Sequence, residues 1–289
     1  MGKRYILFLD LNAAFDCVSL VKLIDKLRKN NLSTPVIITL IKLMNCSKIS
    51  ADMDNTILIN VRVAQGKLFS LLLFNIYFDD LLDDLNKISY AAAAFADNLV
   101  IICKNYQDLK AAVRTLHSWS NENKIIANEK KSGIFIMNDN GSDLDTILGF
   151  PVVDSYKYLG VKLNPKLSPK PHIVAQNLKL NDYFKRSYML HKKYFTPISL
   201  VRIIDYFVKS RLSYGLCYFL DCPSSMKKIE LASFAQHPKK IFGLPIYTSH
   251  RRLHVTFGEP DLNVRLALRL LRTGTNISLI IIINLFLMK

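Results

Sequence analysis

Apolar and polar positions divide the first part of the chain into short strands and longer amphipathic helices. Ile6-Leu7-Phe8-Leu9 is a continuous apolar run closed by Asp10, which predicts a strand buried on both faces. Leu99-Val100-Ile101-Ile102, entered directly from Asp97-Asn98, predicts a second one. Between them Phe15, Val18, Val21, Leu23, Ile24 and Leu27 recur at helical spacing, which predicts a helix from Ala13 to Lys29. A second helix is expected over Pro35–Met44, and a loosely alternating strand over Ile57–Val63. Gln65-Gly66 breaks the pattern ahead of a long, mostly apolar helix from Leu68 to Leu85 that ends in acids.

Residues 95–103 predict a hairpin whose turn holds Asp97 and Asn98, two residue types that tolerate turn geometry. Asp108 is the expected N-cap of a helix through Trp119 to about Asn123. Strands around Gly133–Met137 and Tyr156–Leu163 follow. The order strand, helix, hairpin, helix, strand predicts an α+β fold with a ferredoxin-like antiparallel sheet backed by helices. Ala91–Ala94, a run of poor strand formers, fits none of these elements.

Beyond Pro165 the pattern turns helical and basic. Pro165, Pro169 and Pro171 mark a linker, and helices are expected over about 172–194, 198–215, 225–237 and 261–272. The domain boundary is placed near residue 165, giving domains of 1–165 and 166–289. Net charge is +16, unevenly distributed: residues 1–150 hold 17 Lys and Arg against 16 Asp and Glu, and residues 151–289 hold 22 against 7. A near-neutral half joined to a strongly basic one points to an active-site module beside a polyanion-binding module, with nucleic acid as the leading partner. The alternative is a generally basic, solvated surface.

The five cysteines, Cys17, Cys46, Cys103, Cys217 and Cys222, form no CxxC pair, which fits a reducing compartment. Cys217 and Cys222 with His250 and His254 are spaced too widely for a simple zinc finger. The apolar run Ile277–Met288 is too short to span a bilayer comfortably, and no signal peptide is visible. An intracellular protein, nuclear or cytoplasmic and without a membrane, is expected.

The chemistry lies at the two acidic strand ends. A carboxylate at the end of a buried strand is costly to desolvate unless a cation sits beside it. Strand pairing that brings Asp10 and Asp97 together makes them repel, unless a divalent metal lies between. Paired carboxylates holding Mg²⁺ against substrate phosphates serve phosphoryl transfer.

Three segments carry a resemblance: Phe8-Leu-Asp10-Leu-Asn-Ala-Ala-Phe15-Asp16, then Ala64-Gln65-Gly66-Lys67-Leu-Phe-Ser70-Leu-Leu-Leu-Phe74-Asn75-Ile-Tyr77, then Phe95-Ala-Asp97-Asn98-Leu-Val. In order and spacing they resemble the central palm motifs of reverse transcriptases of non-LTR (LINE-type) retrotransposons. Ala127-Asn128-Glu-Lys-Lys131-Ser132 resembles that family's post-palm lysine motif, and Tyr156-Lys157-Tyr158-Leu159-Gly160-Val161 its primer-grip hairpin. Arg211-Leu-Ser-Tyr214-Gly215 and Lys240-Ile-Phe-Gly243-Leu-Pro245 are similar to thumb and post-thumb segments.

The resemblance implies a polymerase palm followed by a mostly helical basic thumb. Asp10 and Asp97 would hold two Mg²⁺ ions, with position 98 as a neighbouring ligand. Phe15 would be a steric gate excluding a 2′-hydroxyl, which disfavours an RNA-copying RNA polymerase; a core position on a helix is its alternative. Gln65 and Gly66 would lie against the incoming nucleotide, or form a plain loop before a helix. Lys131 would neutralise or protonate the leaving pyrophosphate, or remain a solvated charge. Tyr156, Lys157 and Tyr158 would steady the primer end, or form an ordinary hairpin. Lys185-Arg186, Lys192-Lys193, Lys227-Lys228, Lys239-Lys240 and Arg251-Arg252 would track the template–primer duplex without reading its sequence.

The implied partners are an RNA template, a DNA primer and deoxynucleoside triphosphates, with no obligate protein partner evident. The family pattern has two adjacent aspartates in the hairpin, and here the second is Asn98. Ala64, Lys67 and Leu71 also depart from it. The start of the chain lies close to Asp10, so the fingers subdomain is expected to be missing, as in a truncated, partly decayed copy. Two functions follow: an RNA-directed DNA polymerase impaired in this copy, with a metal preference shifted toward Mn²⁺, or a non-catalytic nucleic-acid-binding remnant.

Overall fold

The computed structural model describes residues 2–45, 48–52, 55–58, 69–138, 144–168 and 170–196, with isolated positions and a short run further on. The chain divides into two compact units, Met1–Asp154 and Ser155–Lys289. The division falls before the boundary expected near residue 165, so the Tyr156–Leu163 segment belongs with the second unit.

The first unit is built on a four-stranded antiparallel sheet. Strand β1 (Arg4–Asp10) lies at its centre. After it come helices α1 (Leu20–Lys29) and α2 (Thr34–Asn45), a small hairpin of β2 (Lys48–Asp52) and β3 (Asn55–Leu58), and helix α3 (Ser70–Ile88). Strands β4 (Ala91–Phe95) and β5 (Asn98–Cys103), helix α4 (Tyr106–Asn123) and strand β6 (Gly133–Met137) complete the layer. The sheet order is β4-β5-β1-β6 with every pairing antiparallel. That is the split βαβ order of a ferredoxin-like layer, as the hydrophobic pattern predicts. A short hairpin of β7 (Thr146–Ile147) and β8 (Phe150–Pro151) follows.

The continuous apolar runs are explained by burial on both faces. Tyr5, Leu7 and Leu9 of β1 join Leu99, Ile101, Cys103, Ile134 and Ile136 in the main core. Ile6, Phe8, Val100, Ile102 and Phe135 point the other way and are equally buried. Helix α3 contributes Leu73, Phe74, Tyr77, Phe78, Leu81 and Leu85, a stripe of i, i+3 and i+4 spacings. Helix α4 contributes Leu109, Ala112, Val113, Leu116 and Trp119 in the same way.

Four local expectations are corrected. The helix expected from Ala13 begins only at Leu20, because residues 12–17 form consecutive turns and Ala13 has φ 43°, outside helical space. The alanine run is the edge strand β4: its pairing with β5 and the packing of Ala92 and Ala94 on the core override weak propensity. The hairpin loop is Ala96-Asp97, with Asn98 already in β5 opposite Phe95. The N-cap of α4 is Asn105: its Oδ1 accepts the Asp108 N–H at 2.9 Å, and its Nδ2 donates to Asp108 Oδ2 at 3.1 Å. Asp108 is therefore the third helical residue, whose N–H the Asn105 side chain caps.

In the second unit, β9 (Tyr156–Tyr158) and β10 (Val161–Leu163) pair through the two-residue turn Leu159-Gly160. Both turn residues have positive φ, 45° and 83°, the type I′ pattern that matches strand twist. Helix α5 (Lys170–Tyr194) follows, and Pro171 stands in its first turn, where a missing N–H is harmless. The helices expected over 198–215, 225–237 and 261–272, the Cys217/Cys222/His250/His254 set and the Ile277–Met288 run lie outside the described residues, apart from isolated positions. No helix among the described residues is long and apolar enough to cross a membrane.

Candidate active site

Antiparallel pairing of β1 with β5 sets Asp10 opposite Asn98. The next residue continues the contact: Leu11 N–H donates to the Asp97 carbonyl at 3.1 Å. Both carboxylates thereby stand at one end of the sheet, Asp10 at the exit of β1 and Asp97 in the hairpin loop. Ala96, just before Asp97, has φ 52°. A non-glycine residue there costs about 1–2 kcal/mol, which the surrounding pairing must offset. Asn98 Nδ2 donates to Asp97 Oδ1 at 2.9 Å, so the Asp97 carboxylate holds a neutral amide as its near neighbour.

A second segment wraps the end of β1. Asn12 N–H donates to the Ile126 carbonyl at 2.9 Å, and Asn128 N–H donates to the Asp10 carbonyl at 2.7 Å. Ser132 Oγ accepts the Asp10 N–H at 3.3 Å and donates to the Asn128 carbonyl at 2.7 Å. These bonds bring Lys131 to the site, its Nζ lying 3.5 Å from Asp10 Oδ2. The lysine side chain is 70% exposed and that of Asp10 21%, so solvent screens the pair and it adds about 0–1 kcal/mol of stability. Its importance is the position of a cation beside a carboxylate. Asn128 and Ser132 are functional candidates that the sequence reading left without roles; their place in the same short motif as Lys131 was the available signal.

Of Asp10, Asp97 and Lys131, named from sequence as a catalytic set, Lys131 stands beside Asp10, and Asp97 lies in the loop whose backbone meets the exit of β1. The donor chemistry suits a hard divalent ion: two carboxylates at adjoining strand ends leave the remaining positions to water or phosphate oxygens. Among the described residues no group of three His, Cys, Asp or Glu side chains gathers as a closed metal site.

Phe15 lies in the turns after β1. Its ring stacks on Phe74 of α3 at 4.3 Å between centroids and 24° between planes, and it stays half-buried. Phe74 stacks in turn on Phe78 at 4.6 Å, and Phe78 meets Trp119 at 4.7 Å. Phe15 is therefore anchored to the core on one side and partly open on the other. Gln65 and Gly66 lie outside the described residues.

Within the second unit, β9 alternates. Tyr156 is half-buried, Lys157 exposed and Tyr158 buried at 6%. Strand alternation places Tyr156 and Tyr158 on the face opposite Lys157, with Tyr158 the more deeply buried of the two rings. Lys162 of β10 is the register partner of Lys157 and is likewise exposed, so two ammonium groups share one face. The alternation Val161-Lys162-Leu163 signals this face, although Lys162 was not singled out from sequence.

Over residues 1–163 the chain matches the family described as reverse transcriptase (RNA-dependent DNA polymerase). No curated protein sequence matches it. Among solved structures it is similar to telomerase from Candida albicans in complex with a TWJ fragment of telomeric RNA, with a TM-score of 0.49 and 12% identity, over 91% of this chain and 50% of that one. It is also similar to an apo telomerase from Candida tropicalis truncated from its C-terminal domain, with a TM-score of 0.44 and 13% identity, over 58% of this chain and 35% of that one. The chain thus spans half or less of the length of these structures.

Proposed function

The chain belongs to the reverse transcriptase family, and from that premise we propose that it is the RNA-directed DNA polymerase core of a non-LTR (LINE-type) retroelement, weakened at its metal site. The first unit is then the palm, and the second is the basic thumb region that holds template and primer. The observation that carries this reading is the joining of β1 to the β4–β5 loop, which sets the Asp10 and Asp97 carboxylates at one sheet end.

Asp10 and Asp97 would hold two Mg²⁺ ions, which when bound activate the primer 3′-hydroxyl and neutralise the leaving pyrophosphate. Lys131 adds a fixed cation beside Asp10, suited to taking up the negative charge of pyrophosphate or giving it a proton. Ser132 and Asn128 hold the Asp10 backbone and so orient its carboxylate. Phe15, braced by stacking on Phe74, would exclude a 2′-hydroxyl and select deoxynucleoside triphosphates. Gln65 and Gly66 line the nucleotide, and Tyr156 and Lys157 steady the primer against an RNA template.

Asn98 supplies a neutral amide where an acid would add charge. The result is weaker metal binding and a preference shifted toward Mn²⁺. The same residue favours a second reading, a nucleic-acid-binding remnant without catalysis. Primer extension on an RNA template separates the two. Weak extension that Mn²⁺ enhances and Asp10→Ala abolishes supports the polymerase. Duplex binding with no extension in either metal, even after Asn98→Asp, supports the remnant.

A further inference from the structure

The turn between β9 and β10 is held by a residue far along the chain. Tyr214 Oη donates to the Leu159 carbonyl at 2.7 Å. A Cβ on Gly160 would meet Tyr214 Cε1 at 2.9 Å, so the ring lies flush against a position that only glycine can fill. His172, 1% exposed near the start of α5, joins the same two elements. Its Nδ1 accepts the Lys162 N–H at 3.2 Å, and its Nε2 lies 2.8 Å from the Tyr214 carbonyl. A main-chain N–H can only donate and a carbonyl can only accept. The imidazole is therefore neutral, with its proton on Nε2.

We propose that His172 and Tyr214 are positioning residues that lock the Tyr156–Leu163 hairpin to α5 and thereby fix the Lys157/Lys162 pair as a contact for the phosphodiester backbone of a nucleic-acid duplex. Like charges on directly paired strand residues repel, and a bound polyanion relieves that repulsion. The proposal rests on the nucleic-acid-binding part of the function above and needs no catalysis.

Protonating His172 places an N–H on Nδ1 against the Lys162 N–H, donor against donor, which opens the lock. Burial and the Lys179 charge both hold the His172 pKa below its usual 6.5, while the Tyr214 carbonyl pulls it upward. Among the described residues, Lys179 is the charged side chain that acts on the ring, while Lys162 and Tyr214 meet it through main-chain groups.

The test uses the full chain and a short RNA–DNA duplex, with affinity measured from pH 7.5 to pH 5. His172→Gln keeps one donor and one acceptor but does not titrate, so its profile is the baseline. Wild type is expected to lose several-fold in affinity relative to that baseline as pH falls. Tyr214→Phe is expected to weaken binding at pH 7.5 with no change in salt slope, whereas Lys162→Ala lowers the slope by about one. Parallel wild-type and His172→Gln profiles, or a Tyr214→Phe chain that binds like wild type, would overturn the proposal. If no variant binds duplex, the nucleic-acid reading fails by itself. Nitrogen NMR of labelled histidine then still decides the lock: an Nε2–H tautomer whose titration moves the Lys162 amide sustains it, and an Nδ1–H tautomer refutes it.

Discussion

Asp10 and Asn98 face each other as register partners across β1 and β5, and Asn98 donates its amide to Asp97 at 2.9 Å. On the proposed reading Asn98 puts a neutral hydrogen-bond donor where a second acid would add charge. Asn98→Asp removes that bond and adds a like charge. Without divalent ions it should destabilise the chain by about 1 kcal/mol, on the scale expected for partly solvated charges. With millimolar Mg²⁺ the loss should be reversed, because ions bound only by the folded state stabilise it. Melting with and without Mg²⁺ checks this; a variant indifferent to Mg²⁺ would argue against a metal site at these residues.

Phe15 should govern sugar choice. Phe15→Val removes the ring that stacks on Phe74 and should raise ribonucleotide incorporation relative to deoxyribonucleotide by tenfold or more, about 1.4 kcal/mol of discrimination. Competition between the two nucleotides during extension, in an Asn98→Asp background, measures the ratio. An unchanged ratio would leave Phe15 as a packing residue only.

Lys26 ties α1 to α3 and α4. Its Nζ donates to the Tyr77 carbonyl and lies 2.8 Å from Asp80 Oδ1, which also accepts Trp119 Nε1–H at 3.1 Å. Burial lowers the Lys26 pKa despite Asp80. Because the unfolded chain then holds more protons, stability should rise with pH over a window ending near 10.5. Lys26→Met should flatten that rise and stay within about 1 kcal/mol of wild type, whereas Asp80→Ala strands the ammonium and should cost about 2 kcal/mol. Denaturant melts between pH 7.5 and 10.5 give both numbers, and equal losses in the two variants would contradict the assignment.

Cys103, buried at the end of β5, has its thiol pushed up to about 12 by burial, with Asp108 adding to the shift. Iodoacetamide at pH 8 should leave it unmodified in the folded chain and label it only after unfolding. Peptide mass spectrometry reads this directly. Rapid native labelling would mean that β5 is open to solvent.

Strands β1 and β5 were legible in the sequence because burial on both faces writes an unbroken apolar run, with Asp10 closing the first and Asp97 just ahead of the second. Strand β4 was not, since Ala91–Ala94 carries no strand propensity and owes its form to pairing with β5. The start of α1 was missed because Phe15 and Val18 keep helical spacing although they precede the helix, Phe15 in turns that distant bonds such as Asn12 to Ile126 help to set. Asp10, Asp97 and Lys131 were singled out by motif, but the bonds of Asn128 and Ser132 that bring Lys131 beside Asp10 span more than a hundred residues and leave no local pattern. The depth of Tyr158 was not legible either: strand alternation puts both tyrosines on the face opposite Lys157, and only packing sets how far each is buried.

The most direct measurement of the central claim is the rate of RNA-templated primer extension by wild type, Asn98→Asp and Asn98→Asp with Asp10→Ala, in Mg²⁺ and in Mn²⁺. Restoring the second acid should raise the Mg²⁺ rate at least tenfold, narrow the gap between the two metals, and lose all of the gain when Asp10 is removed. An Asn98→Asp rate no higher than wild type, or extension that persists without Asp10, would contradict the assignment of these strand ends as a polymerase metal site.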